Sequence, residues 1–215
     1  MTDSQPSSES FDLIIRGGTV VDGTRAPRFA ADVGIKDGRI VAIGELGGKE
    51  ARREIDATGR IVAPGFIDSH THDDSAVLVD PQMTCKISQG VTTVVTGNCG
   101  VSIAPLKPGS PRPMPLGLLS PGEGREVEYA AFADYVAALR TAPAAVNVAP
   151  MVGHTALRAS IMSDLSRAAT DAEIAEMRAH VQEALDAGAI GVSTGTFYPP
   201  AEAAPTEEII EVCRP

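Results

Sequence analysis

The sequence predicts an α/β protein in which a small antiparallel β unit precedes parallel strands that alternate with helices. Three observations carry that prediction. Up to about Pro64 the chain is a series of short β-branched runs closed by Gly-Gly or Asp-Gly pairs, and Asp-Gly between such runs marks hairpins. From Gly65 onward, apolar strand-like runs are separated by helical stretches, the pattern of βαβ units and a parallel sheet. The composition, 43% hydrophobic and 21% charged, supplies a core and lies outside the range of disordered chains.

Residues 1–10 are polar, with neither the basic nor the apolar segment of a signal peptide, and are expected to be disordered. Phe11-Asp12-Leu13-Ile14-Ile15-Arg16 ends at Gly17-Gly18, and Thr19-Val20-Val21 ends at Asp22-Gly23. Residues 31–36 alternate with period two, turn at Asp37-Gly38 and continue as Arg39-Ile40-Val41-Ala42-Ile43. Residues 53–57 and 60–63 complete a β unit over 11–64 that carries no catalytic residue types. Strands then follow at 65–70, 91–96, 146–152 and 189–194, with helices at 81–89, closed by Gly90, and around 157–167. Thr170-Asp171-Ala172-Glu173 is a capping box. It opens a helix with Ile174, Met177, Val181 and Leu185 on one face, ending at Gly188. Pro205-Thr206-Glu207-Glu208 starts another. Six of the sixteen prolines fall between Ile103 and Glu123, so that stretch reads as a long functional or mobile excursion.

Four βα units are half of a (β/α)₈ barrel, which takes about 250 residues. Residues 65–215 are therefore expected to be the first half of a barrel domain, and the 215-residue chain an N-terminal portion that is inactive by itself.

The net charge of −10 argues against non-specific binding to nucleic acid or anionic membrane, which needs clustered Lys and Arg. Three cysteines, Cys85, Cys99 and Cys213, are an odd number and do not suit a secreted disulfide framework. No run approaches the roughly 18 apolar residues of a membrane span. A cytoplasmic protein acting on a small molecule is the expectation.

The chemistry concentrates at two strand ends. Gly65-Phe66-Ile67-Asp68-Ser69-His70-Thr71-His72 places two imidazoles at i and i+2, on one face of a strand and at the C-terminal end, where barrel active sites lie. Neutral imidazoles there can hold a divalent metal, and Asp68 shares their parity and can orient or supplement them. The next strand runs into Gly97-Asn98-Cys99-Gly100. Cys99 as a thiolate is a strong zinc ligand able to bridge two cations, although a lone cysteine is equally a small buried hydrophobe.

These segments, with Val101-Ser102-Ile103-Ala104-Pro105, Val152-Gly153-His154-Thr155-Ala156-Leu157-Arg158 and Gly191-Val192-Ser193-Thr194-Gly195-Thr196-Phe197-Tyr198-Pro199-Pro200, resemble the N-acyl-D-amino-acid deacylase (D-aminoacylase) branch of the amidohydrolase superfamily. The similarity runs from Phe11 to the last residues, and Gly-Asn-Cys-Gly is its most specific piece. The resemblance implies a small β-sandwich packed on a TIM (β/α)₈ barrel, and zinc, one ion tightly bound with a second weaker position. It implies His70 and His72 as ligands of the weaker position, Cys99 as the bridging ligand, and Tyr198 as a binder of the substrate's α-carboxylate. The implied reaction is hydrolysis of the amide bond of N-acyl-D-amino acids. Two further histidine ligands and the catalytic aspartate belong to later strands.

Hydantoinases and dihydroorotases also carry His-x-His after a β unit, but bridge their metals with a carboxylated lysine on strand four. The last lysine here is Lys107, so a cysteine bridge is what the residues permit. A cyclic-amide hydrolase and an inactive module remain the alternatives. Of the other candidates, His154 ends the third strand and is expected to face the same mouth, in a substrate-binding or structural role. Arg158 is expected to cap or pair locally, His180 to be a surface residue, and Ser193 and Thr194 to pack inside the barrel. Cys85 and Cys213 are expected to be structural.

Overall fold

The computed structural model describes residues 10–215 except 108, 110–111 and 120–126. The disorder expected of residues 1–10 therefore falls, Ser10 apart, outside the described residues, as does part of the proline-rich excursion. The chain divides into two compact units, one ending at Pro64 and one beginning at Gly65.

In the first unit, β1 (Phe11–Val20), β2 (Phe29–Lys36), β3 (Arg39–Gly44), β4 (Ala51–Asp56) and β5 (Ile61–Val62) make one five-stranded sheet. β1–β2 and β2–β3 pair antiparallel, while β4 and β5 both join β1 in parallel, so the sheet is mixed where antiparallel pairing was expected throughout. The hairpin at Asp37-Gly38 forms, with φ of 51° and 70°, the two left-handed residues a two-residue β-hairpin turn needs. Gly17-Gly18 does not end a strand. Gly17 takes φ 64° and the register shifts between Ile15 and Gly18, a bulge that lets one strand continue to Val20. Ile14, Val20, Val33, Leu46 and Ala57 are the buried apolar residues of this unit.

In the second unit, β6 (Phe66–Asp68), β7 (Val91–Thr96) and β8 (Asn147–Pro150) form a parallel sheet in the order β6-β7-β8. β9 (Val152–Gly153) and β10 (Val192–Ser193) form a parallel pair. Between and after them run α1 (Ala76–Val79), α2 (Thr84–Ile87), α3 (Phe132–Thr141), α4 (His154–Ile161), α5 (Asp171–Ala187), α6 (Pro199–Glu202) and α7 (Thr206–Val212). α5 has the expected capping box at Thr170 and Glu173, and ends at Gly188 with φ 113°, the left-handed residue that closes a helix. Met177 and Val181 are buried, with Ile174 and Leu185 packed against the same core.

Several elements differ from expectation: the helix expected over 81–89 shortens to α2, and α1 and α6 are additional. The third strand divides, because Val152 leaves β7 and pairs with Val192. The next helix begins at His154, three residues early, which takes that residue off the strand. α3 was not anticipated. Its residues Phe132, Tyr135 and Val136 are buried, but no side chain caps it locally. Glu183 of α5 accepts from the N–H groups of Phe132 (3.3 Å) and Ala133 (2.9 Å) instead, so its start signal lies 50 residues downstream.

Candidate metal centre

The turn after β7 is built from left-handed residues. Gly97, Cys99 and Gly100 have φ of 77°, 57° and 76°. The glycines are required by close approach: a Cβ on Gly97 would lie 2.1 Å from the Met151 carbonyl oxygen, and one on Gly100 2.5 Å from Thr155 Oγ1. Cys99 takes the same region without that freedom, at a cost of roughly 1–3 kcal/mol that the surroundings must offset. They do so through side-chain bonds. Ser193 Oγ accepts from Gly100 N–H at 2.8 Å and donates to the Gly97 carbonyl. Asn98 Nδ2 donates to the carbonyls of Val95 (2.8 Å) and Thr71 (3.3 Å).

Thr71 ties the other half of the site to this turn. Its N–H and its hydroxyl each donate to the Val95 carbonyl at 3.2 Å. His70 and His72, on either side of it, lie beyond the end of β6 and project from the loop rather than the strand. His70 Nε2 is 3.0 Å from Cys99 Sγ. The ligand atoms of His70, His72 and Cys99 all lie within 4.8 Å of one another, and among the described residues they form a group able to hold a metal ion.

The donor chemistry fits zinc. One soft sulfur and two imidazoles are its usual partners. His72 Nδ1 is buried without a hydrogen-bond partner, an orphan that a cation would satisfy. Burial, helped by the neighbouring His70 and opposed by Asp73, holds the His72 pKa below its ordinary value, which favours the neutral form a metal needs.

Asp68 acts on His70 through the main chain, not the imidazole. Its Oδ1 accepts from the His70 N–H at 3.4 Å, and its Oδ2 pairs with Lys86 Nζ at 2.8 Å. The hydrogen bond from Lys86 holds the Asp68 carboxyl below its usual range. Asp74, also unremarked in the sequence, is 1% exposed and accepts from Gly97 N–H at 3.2 Å. Burial raises its pKa to about 7 against the effect of that bond.

The position expected for His154 is corrected. It opens α4, is 1% exposed, and sits with Nε2 3.1 Å from Glu208 Oε1. Arg158 pairs with the same oxygen and donates to the carbonyls of Pro200 (2.7 Å) and Arg167 (2.7 Å), so it braces α7 against α4 rather than pairing only locally. Tyr198 is half-buried and precedes α6. A Cβ on Gly195 would lie 2.1 Å from the Cys99 carbonyl oxygen and 2.9 Å from Tyr198 Cδ2, so the tyrosine ring is separated from the cysteine turn by one glycine. Cys85 and Cys213 are exposed and stand apart from this group.

The residues that sequence reasoning missed are Asn98, Lys86 and Asp74, together with the bracing role of Ser193. Each acts across 13 to 96 positions, except for the local Asn98–Val95 bond. Only the position of Asn98 inside the Gly-Asn-Cys-Gly segment offered a signal.

Residues 53–213 match the amidohydrolase family model, and residues 1–65 match that of the urease alpha-subunit N-terminal domain. D-aminoacylase of Alcaligenes xylosoxydans xylosoxydans is 59% identical over 212 residues, covering 99% of this chain and 43% of that protein. A D-aminoacylase structure concerned with its binuclear metal centre superposes with a TM-score of 0.91 at 60% identity, over 95% of this chain and 43% of that one. N-acyl-D-glutamate deacylase from Bordetella bronchiseptica, solved with zinc and a phosphonate mimic of the tetrahedral intermediate, gives 0.89 at 48% identity, over 95% and 42%. The chain thus spans about two-fifths of the length of these relatives.

Proposed function

Because the chain belongs to the amidohydrolase family, we propose that it carries the His/His/Cys metal face of a zinc-dependent enzyme that hydrolyses the amide bond of N-acyl-D-amino acids, releasing a carboxylate and a free D-amino acid. The observation that carries this reading is the convergence of His70, His72 and Cys99 within 4.8 Å. His70 and His72 act as neutral nitrogen donors and Cys99 as the thiolate donor. When bound, zinc supplies Lewis acidity, polarising the amide carbonyl and acidifying water.

The remaining roles belong to the chain's own groups. Ser193 and Asn98 hold the Cys99 turn in its left-handed form, so the sulfur is preset rather than ordered at binding. Tyr198 donates its hydroxyl to the substrate carboxylate, orienting the amide over the site. Proton transfer is not assigned to the local acids. Asp68 and Asp73 are paired with Lys86, and Asp74 is buried against Gly97. His154 belongs to the framework, given its burial with Glu208.

A cyclic-amide hydrolase is disfavoured, because the segment around β10 offers no lysine to bridge metals. No helix among the described residues is long and apolar enough to cross a membrane, and the net charge of −10 suits a small-molecule substrate better than nucleic acid. The test is an assay of the zinc-loaded protein, carried to the full length of these relatives, on N-acetyl-D-amino acids beside a hydantoin. Turnover of the N-acetyl-D-amino acid alone is expected. Turnover of the hydantoin alone would overturn the proposal.

A further inference from the structure

Lys86 lies on α2, a four-residue helix whose placement is set from its start. Met83, the residue before it, has φ 44° and is 1% exposed. Its side chain packs with Val77, Val94 and Val146, so the helix is pinned to the core immediately upstream of Lys86. From there the ammonium reaches 2.8 Å from Asp68 Oδ2 and 2.9 Å from Asp73 Oδ2, with 19% of the side chain exposed. Asp68 stands two residues before His70 and Asp73 one residue after His72. The two acids therefore bracket the histidine pair, and one cation spans them.

We propose that Lys86 is a positioning residue that selects the metal's donor set: by holding Asp68 and Asp73 it fixes the His70–His72 segment and keeps both flanking carboxylates out of coordination. The inference rests on the functional reading above. Its physical basis is that carboxylate oxygens are hard donors suited to Mn²⁺, Mg²⁺ and Ca²⁺, whereas thiolate and imidazole select zinc. Two carboxylates sharing one ammonium and bordering a dication site would turn toward the ion if the ammonium were removed. Asp68 also carries the His70 N–H on its other oxygen at 3.4 Å, so its reorientation would move a ligand's backbone as well. The loss of one positive charge would by itself favour any divalent ion alike. Selectivity, not raw affinity, is thus the quantity that reports the role.

The test compares the full-length wild-type protein with its Lys86→Met and Lys86→Arg variants, measuring zinc and manganese affinities by competition with a chelator. Intensity of the thiolate-to-metal charge-transfer band of the cobalt-loaded protein is the second readout, with Cys99→Ala as its blank. Lys86→Met is expected to narrow the zinc-to-manganese affinity ratio by about tenfold or more, the scale on which groups that orient metal ligands act, and to weaken the band. Lys86→Arg, which keeps a cation for both acids, is expected to restore most of the ratio. If Lys86→Met does not fold, Lys86→Gln, which keeps a polar side chain but removes the positive charge facing both acids, is expected to shift the ratio in the same direction. A folded variant with an unchanged ratio and band overturns the inference alone. A wild-type protein that binds no zinc overturns it together with the functional reading.

Discussion

His70 Nε2 and Cys99 Sγ lie 3.0 Å apart although 29 positions separate them in the chain. Two adjacent parallel strands end side by side; the segment after β6 delivers His70 and His72, and the turn after β7 delivers Cys99. If all three are metal ligands, Cys99→Ala in the full-length protein removes the soft donor of the set, and zinc content and turnover are expected to fall together. Cys85→Ala, on the exposed side of α2, is expected to change neither. Metal analysis of the two purified variants is the check, and full zinc occupancy in Cys99→Ala would falsify the ligand assignment.

Ser193 spans the cysteine turn from the neighbouring strand pair. Ser193→Ala leaves the Gly100 N–H and the Gly97 carbonyl without their partner in a part-buried place. Each unsatisfied buried group costs roughly 1–3 kcal/mol, so an unfolding midpoint lowered by a corresponding amount is expected. Because the turn carries Cys99 with φ 57°, zinc affinity should drop too. Ser193→Ala with native stability and native zinc affinity would show that the left-handed cysteine is held without it.

The buried group of His154, Arg158 and Glu208 is expected to govern stability. Glu208→Gln leaves Arg158, which is 0% exposed, without a countercharge, and breaking a buried pair costs about 3–5 kcal/mol. Burial, the largest influence, lowers the His154 pKa below 6.5, with Arg158 acting the same way and Glu208 against it. The unfolded chain then binds the proton more readily, so this contribution is present above about pH 6.5 and is lost as pH falls below it. Asp74, raised to about 7 by burial, has the opposite slope. Its stabilising contribution is full below its unfolded value of 3.8 and is lost as pH rises toward 7. The measurement is therefore the difference in stability between the protein and His154→Gln across pH 5 to 8. That difference should diminish on acidification, and a pH-independent difference would exclude a lowered His154.

Tyr198 is one glycine away from the Cys99 carbonyl. If its hydroxyl donates to the substrate carboxylate, Tyr198→Phe in the full-length enzyme should lower kcat/KM by the equivalent of about 1.5–3 kcal/mol, the worth of a hydrogen bond to a charged group. Zinc content should not change. Steady-state kinetics on an N-acetyl-D-amino acid decide it, and an unaltered kcat/KM rules the role out.

What could be read from the sequence was whatever is encoded locally. The Asp37-Gly38 turn, the Thr170/Glu173 cap and the Gly188 stop each rest on residues a few positions apart, and each forms. The pairing of His-x-His with the following strand end was legible because parallel strands in βα succession are neighbours. What was not legible depends on distant partners. α3 has its cap on Glu183, the division of β8 from β9 follows from a pairing with β10, and the bulge at Gly17 looked like a stop. His154 misled for a related reason. A histidine after a strand suits a mouth, but here α4 begins at once and turns it toward Glu208.

Whether Cys99 is a metal ligand beside imidazoles is tested most directly by X-ray absorption fine structure at the zinc edge of the metal-loaded protein. The predicted shell contains one sulfur at about 2.3 Å and nitrogen or oxygen neighbours at about 2.0 Å, with the sulfur lost in Cys99→Ala. A wild-type shell made only of nitrogen and oxygen would contradict it.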